Sequence, residues 1–376
     1  MTDASGPPFR ADHVGSLLRP ASLLEARARH AAGEIDDAEL RGAEDEAIAD
    51  VVRLQGDIGL RTATDGEFRR ASWHMDFIYA IDGISRVTGE DIVVHFRNAD
   101  GTLDYTPAGL HVDGPLGIPE PIFGRDLAHL QGLVTDRQTA KLTIPSPSMV
   151  HYRGGAAAID PAVYPDEDAF WNALSAAYAS QVQGIAAQGC RYLQLDDTSL
   201  AYLNDPAQRA ELAAQGRDAE HQHERYIRQI NAALAGRPEG LTVTTHLCRG
   251  NFRSSWVAEG GYDFVAEALF GGLEVDGFFL EYDDARSGGF EPLRFVPPGK
   301  RVVLGLVTTK RPGLESRDDL KRRIEEAARH VPLEQLAISP QCGFSSTVEG
   351  NALTRDEQVA KLALVVEVAQ EVWGYA

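Results

Sequence analysis

The chain of 376 residues is 43% hydrophobic and 24% charged, with 36 Gly and 19 Pro spread along it rather than gathered in one linker, the composition of an ordinary globular protein. Its formal net charge of −20 excludes nucleic acid and anionic membrane surfaces as main partners, since both require a positive footprint. Three cysteines, no apolar run behind a basic start and no stretch of membrane-span length predict a reducing, cytoplasmic setting without a disulfide framework, and leave room for a homo-oligomer.

Length alone allows two domains, yet barrels of alternating strands and helices often run this long as one unit, so a single domain over 1–376 is expected. In chain order, short β-rich runs each end in a polar or glycine-rich cluster: ADHVGSL near 11, LRTATDGEF near 60, AKLTIPSP near 140, RYLQLDD near 191, LTVTTHLC near 241, VDGFFLEY near 275, RVVLGLV near 301 and LAISPQC near 336. Between them, segments such as DAFWNALSAAYASQVQGIAAQG and SRDDLKRRIEEAARHV carry apolar residues at helical spacing. Such alternation predicts a parallel sheet. Eight strands predict an α/β fold closed as a (β/α)8 TIM barrel rather than an open doubly wound sheet, because no glycine-rich dinucleotide turn follows the first strand.

Two segments interrupt the alternation. Within about 83–125, VVHFR and LDYTPAGLHV flank the turn signal NADGT, which reads as a β-hairpin insertion. After the fourth strand, PAQRAELAAQGRDAEHQHERYIRQINAAL forms a helical excursion expected to contribute to a lid. Cys190 in GCRYLQL starts an apolar strand and reads as a small buried hydrophobe.

Four separated residues carry the chemistry: His246 and Cys248 in THLCRGNF, Glu281 in FFLEYDD and Cys342 in SPQCGF. Each falls at the carboxyl end of an expected strand, where barrels of this kind place functional side chains. Side chains alternate along a strand, so His246 and Cys248 point to one side and can share a metal. Taken singly, each has an ordinary reading: a hydrogen-bonded His, a core Cys, a solvated or capping Glu. Taken together, an imidazole, two thiolates and a carboxylate at the ends of three strands predict bound zinc, with a net charge of about −1. A metal so electron-rich is a poor Lewis acid for a carbonyl but suits holding an incoming thiol as a nucleophilic thiolate. The implied chemistry is alkylation of a thiol.

At these residues the chain resembles the cobalamin-independent methionine synthase family, whose catalytic barrel carries zinc bound by His, Cys, Glu and Cys. The anchors are HVGSL, DGEF, LQLDD, THLC, FFLEY and PQCG, in the family's order and over nearly the whole chain. Full-length members contain two barrels, so the chain looks like a short, single-barrel branch. The resemblance implies that the backbone around Gly15 and Ser16 holds the carboxylate of homocysteine, while Glu67 and Asp196 receive its ammonium group. An amino-acid substrate requires such partners, because an unpaired buried charge is costly. The ordinary alternative pairs Glu67 and Asp196 with neighbouring arginines such as Arg69 and Arg191, and Asp197 reads as structural or lid-contacting.

Three positions depart from the family's pattern. A histidine that helps the donor nitrogen leave is matched by Lys310, a tryptophan that stacks on folate by His151, and an acid that holds the pterin by Tyr202. The expected reaction is methyl transfer to homocysteine giving methionine. The donor is a folate, a methylated corrinoid or another small methyl compound, with Lys310 orienting or protonating it and His151 stacking on or hydrogen-bonding it. A rival keeps the zinc chemistry and joins coenzyme M to an epoxide, but that thiol has no ammonium group and gives Glu67 and Asp196 no purpose. A second rival is a zinc-stabilised binding protein without turnover, since four protein ligands also close structural zinc sites.

Overall fold

The computed structural model describes residues 6–87, 94–98, 101–105, 109–152 and 154–376. Its strands are β1 (Thr62–Ala63), β2 (Asp82–Val87), β3 (Val94–Asn98), β4 (Gly101–Tyr105), β5 (Gly109–Gly117), β6 (Thr139–Pro145), β7 (Tyr192–Asp197), β8 (Thr242–Leu247), β9 (Gly277–Glu281), β10 (Arg301–Val307) and β11 (Leu336–Pro340). Seven of them form one sheet in the order β1-β6-β7-β8-β9-β10-β11, and every pairing in it is parallel. All residues of β7, β9 and β11 are buried, as expected where helices cover one face and inward side chains fill the other.

The sheet is curled, and residues 10–17 span its two edges. On one side the Asp12 N–H donates to Ile338 O (3.1 Å) and the Ile338 N–H to Arg10 O (2.8 Å). On the other, the Leu17 N–H donates to Gly66 O (3.1 Å) and Thr64 Oγ1 to Gly15 O (2.7 Å). The expected first strand near 11 is thus an extended segment with one isolated bridge, Ala11 to Ile338, and no ladder joins it to β1 among the described residues. A local cause is visible. Asp12 turns its carboxylate onto the backbone N–H groups of Phe9 and His13, and Gly15 takes a φ of +148°, so the segment leaves ladder geometry. Among the described residues the architecture is therefore a curled parallel α/β sheet of seven strands, one fewer than the sequence suggests.

Inside the curl, Lys141 donates to His13 O (2.6 Å) and faces Asp12 (3.4 Å), while the Tyr192 hydroxyl donates to the other Asp12 oxygen (2.9 Å). A fully buried ion pair persists only when hydrogen bonds satisfy both partners in this way. The two helical stretches noted above form helices Glu167–Ala187 and Arg317–Ala327, started by caps at Asp166 and Ser316.

The insertion holds two antiparallel pairs rather than one hairpin. β3 pairs with β4, its turn residues 99–100 lying outside the described residues, and β2 pairs with β5. The β3–β4 hairpin is tied down by Arg97, which exchanges backbone hydrogen bonds with Trp256 at 2.7 and 2.9 Å. The helical excursion divides in two. Gln222–Leu234 belongs to the outer layer against Glu167–Ala187, and only Pro206–Ala214 shares a cleft with the hairpin through Gln208, His95 and Arg97. Among the described residues no helix is long and apolar enough to cross a membrane.

Candidate active site

His246 lies in β8, Cys248 just past it, Glu281 at the last position of β9 and Cys342 two residues beyond β11. Neighbouring parallel strands bring these ends together. All four residues are buried, and one ligand atom from each lies within 4.8 Å of the others. The two sulfurs are 3.4 Å apart. Around zinc, bond lengths of about 2.0–2.3 Å put tetrahedral ligand atoms about 3.3–3.8 Å apart, so the donor set fits that ion. Apart from the Cys342 sulfur, neither His246 ring nitrogen has a hydrogen-bond partner among the described residues. A buried imidazole left in that state suits a metal ligand.

The electrostatics of the cluster favour a cation. The hydrogen bond from Cys248 holds the Cys342 thiol well below the ordinary thiol range against burial, with help from His246 and Lys310. The same contact, together with burial, pushes Cys248 well up, so the pair shares one proton. Burial also raises Glu281, opposed by the charge of Lys310. Backbone donors finish the ligands: the Gly250 N–H points at Cys248 Sγ (3.3 Å) and the Arg249 N–H at Glu281 Oε1 (3.2 Å). Arg249 further donates to Glu281 O (2.9 Å) and to the Tyr262 hydroxyl (3.1 Å), fixing the end of β9.

His246, Cys248 and Cys342 open onto a cavity that Ser16, Glu67 and Asp196 also line. Glu67 sits at a φ of +60°, a strained position for a residue with a side chain. Arg19 holds it there by donating to Glu67 O (2.8 Å), Arg70 O (2.7 Å) and Ser345 Oγ (2.7 Å), clamping two loops at once. Glu67 Oε1 accepts from Thr143 Oγ1 (2.7 Å) and lies 3.6 Å from Arg70, whereas Oε2 is buried without a partner among the described residues. Asp196 accepts from Gln194 Nε2 (2.7 Å), and burial raises its pKa to about 7. The arginine beside Glu67 Oε1 is Arg70, while Arg69 pairs with Glu44, Asp45 and Asp126. Asp197 is structural, its two oxygens taken by Ser146, Ser148 and Ser199 hydroxyls and the Leu200 N–H.

Gly15 packs under this floor, where an added Cβ would lie 2.7 Å from Thr143 Cγ2 and 3.4 Å from Glu67 Oε1. Gly343 is tighter still, since an added Cβ would lie 1.9 Å from Ser16 Oγ. Gly343→Ala is expected to displace the Ser16 hydroxyl and cost about 1–3 kcal/mol in urea unfolding, the range for overpacking. Gly132→Ala, in open space on a helix, serves as the control and is expected not to destabilise.

Two expected positions are not brought into the cavity. His151 belongs to the helix Ser148–Tyr152 and turns into the outer layer, its ring centroid 4.9 Å from Trp171 and Nδ1 3.1 Å from the Tyr226 hydroxyl. It borders a separate cleft with Glu167, Arg217 and Arg225, so the expected contact with the donor is replaced by core packing. Lys310 is buried, with Nζ lacking a hydrogen-bond partner among the described residues, and it does not line the cavity. Its charge acts on the metal-ligand groups instead. Tyr202 does line the cavity.

Sequence reasoning missed the cavity's aromatic walls. Phe96 and Tyr105 come from the β3–β4 hairpin, Phe252 from the loop after β8, and Trp73, stacked on His74 at 4.3 Å, from the turn after β1. The signal present was Phe96 and Tyr105 on the two strands of the hairpin with Phe252 four residues past Cys248, yet nothing local tied them to one space.

The model of the family described as cobalamin-independent synthase, catalytic domain, matches residues 9–371. The Bacillus subtilis protein YxjG, itself of uncharacterized function, is 47% identical over 98% of this chain and 95% of its own length. The 5-methyltetrahydropteroyltriglutamate–homocysteine methyltransferase of Thermotoga petrophila is 24% identical over 97% of this chain and 44% of its own length. Among solved structures, a candidate vitamin-B12 independent methionine synthase from Listeria monocytogenes superposes with a TM-score of 0.77, at 38% identity and 98% coverage of both chains.

Proposed function

The chain belongs to the cobalamin-independent methionine synthase family, and from that premise we propose that it is a zinc-dependent methyltransferase that moves a methyl group onto the thiol of homocysteine to give methionine, with residues 1–376 acting as one catalytic unit. The observation that carries this reading is the meeting, in one cavity, of three residues of a four-residue metal-ligand set and two buried acids, one with a carboxylate oxygen left unpaired among the described residues.

His246, Cys248, Glu281 and Cys342 would hold the zinc, and when bound it supplies the thiol as a thiolate at neutral pH. The rest is positioning. Glu67 and Asp196 receive the ammonium group of homocysteine, and the Gly15–Ser16 segment lies beside its carboxylate. The sulfur is thereby directed toward the metal ligands and the aromatic side of the cavity. Holding two reactants in line is the main source of rate in a methyl transfer, and a rigid amino-acid clamp provides half of that alignment. Lys310 offsets part of the negative charge gathered around the cluster.

Coenzyme M fits less well, because its sulfonate would face two carboxylates in a buried space. A purely structural zinc role leaves the cavity and the unpaired Glu67 oxygen unexplained. The test is the visible spectrum of the cobalt-substituted protein titrated with thiols. Homocysteine is expected to shift the cobalt bands at concentrations at least about tenfold lower than coenzyme M. A response to coenzyme M alone selects the rival substrate, and no response to either thiol leaves the structural reading standing.

A further inference from the structure

The cavity's walls say something about the second substrate. Five aromatic side chains, Trp73, Phe96, Tyr105, Tyr202 and Phe252, come from four segments of the chain, the β3–β4 hairpin giving two of them, to line the space next to the metal ligands. Three are packed as a unit: Phe252 lies 5.4 Å from Phe96 and 4.6 Å from Tyr105, ring centroid to centroid. The charged side chains in the same lining are Glu67 and Asp196, both acids, besides the metal-ligand residues. No Lys or Arg lines it among the described residues.

Aromatic faces with no Lys or Arg among the described lining residues make a site for a methylated onium group, whose positive charge is spread over its methyl groups and needs no hydrogen-bond acceptor. A carboxylate-rich donor finds no Lys or Arg in this lining among the described residues. We propose that the methyl donor is a methylated onium cation, a sulfonium or a quaternary ammonium, seated against Phe96, Tyr105 and Phe252. This deepens the homocysteine reading above and rests on it.

The step balances without a further reagent. The homocysteine thiolate contributes an electron pair to form the new S–CH3 bond. The bond between that methyl and the onium sulfur or nitrogen breaks, and its pair stays on the leaving atom, which becomes neutral. No proton moves. A site that places no lysine in its donor cavity is consistent with that economy, since Lys310 stays outside the lining.

Binding and turnover test the proposal separately. With metal-loaded, homocysteine-saturated protein, calorimetric titration compares choline with its neutral isostere 3,3-dimethylbutan-1-ol. The cation is expected to bind about tenfold tighter or better, and Phe252→Leu to remove most of that preference, since cation–π contacts contribute about 1–2 kcal/mol when desolvated. Equal binding of the two isosteres overturns the proposal. In the turnover arm, deuterated methyl groups on S-methylmethionine, trimethylglycine, 5-methyltetrahydrofolate and methylcobalamin are traced into methionine. Label from the sulfonium or the quaternary ammonium supports the proposal and says which of the two is used, whereas label only from the folate or the corrinoid overturns it. The cobalt titration with homocysteine keeps the outcomes apart: a thiol response with no onium binding refutes the donor class alone, and no thiol response refutes the homocysteine reading.

Discussion

Cys342→Ser protein is expected to lose its metal and, with it, at least about 100-fold of its methionine-forming activity, because disturbing even the outer partners of a zinc ligand costs about 10–100-fold. The reason lies in the charge of the set. Cys342 is the sulfur that its surroundings most favour as a thiolate, through the hydrogen bond from Cys248 and the nearby His246 and Lys310. A serine hydroxyl stays protonated there and removes one negative charge and one soft ligand together. The sulfur of Cys342, 3.4 Å away, is also the main upward push on the Cys248 thiol, so the substitution eases that push but leaves one thiolate where the set had two. Cys190→Ala is the matching control: that thiol is buried in the apolar core, donates to Tyr192 O at 3.5 Å and is pushed up to about 11 by burial. It is expected to retain full metal content. Metal stoichiometry by mass spectrometry and the methionine assay read both variants, and a Cys342→Ser protein that keeps its metal and its activity would sink the metal assignment.

Much of this centre was legible in the sequence because strand ends in parallel sheets converge whatever their separation along the chain. His246, Cys248, Glu281 and Cys342 needed only their strands to be recognised, and those strands are short runs of β-branched and apolar residues, almost wholly buried. The segment near 11 reads as an eighth strand for the same reason, yet Asp12 and Gly15 redirect its hydrogen bonds, a competition between side chain and ladder that pattern alone does not resolve. His151 fails differently. Its position after β6 matches a ligand-facing residue in the resembling family, but a short helix turns it toward Trp171 and Tyr226, and side-chain direction after a strand depends on the local turn. The aromatic walls were illegible because Phe96, Tyr105 and Phe252 meet only once the β3–β4 hairpin has docked through Arg97 on Trp256. Arg19 is hidden for the same reason, since its value as a clamp appears only when the turn after β1 and the loop after β11 lie side by side.

The largest effect on substrate recognition is expected at Glu67 and Asp196. Glu67→Gln keeps the shape of the side chain and the strained backbone at φ +60°, so it isolates the loss of charge. Removing one partner of a buried charge pair costs about 2–5 kcal/mol, which converts to a rise of about 30-fold or more in KM for homocysteine. Because Arg70 loses its partner at 3.6 Å, some stability is lost as well, and urea unfolding measures that part separately. 3-Mercaptopropionate, which lacks the ammonium group, is expected to respond to the cobalt-substituted enzyme equally in the parent and the variant; a parallel loss for both thiols would mean that Glu67 only shapes the site. Asp196 adds a pH signature. Burial, with the nearby Glu67 charge adding to it, raises its pKa from the ordinary 3.8 to about 7, against His246, Gln194 and Lys141. An ammonium group binds the ionised carboxylate, so below about 7 a proton must leave before homocysteine is held. The affinity for homocysteine is therefore expected to fall as pH drops from 7 to 6, approaching tenfold per unit, and to level off above 7 until the substrate's own ammonium titrates. Asp196→Asn binds more weakly throughout but loses that slope. A variant that keeps the same pH dependence would assign the titration to another group and remove Asp196 from the ammonium clamp.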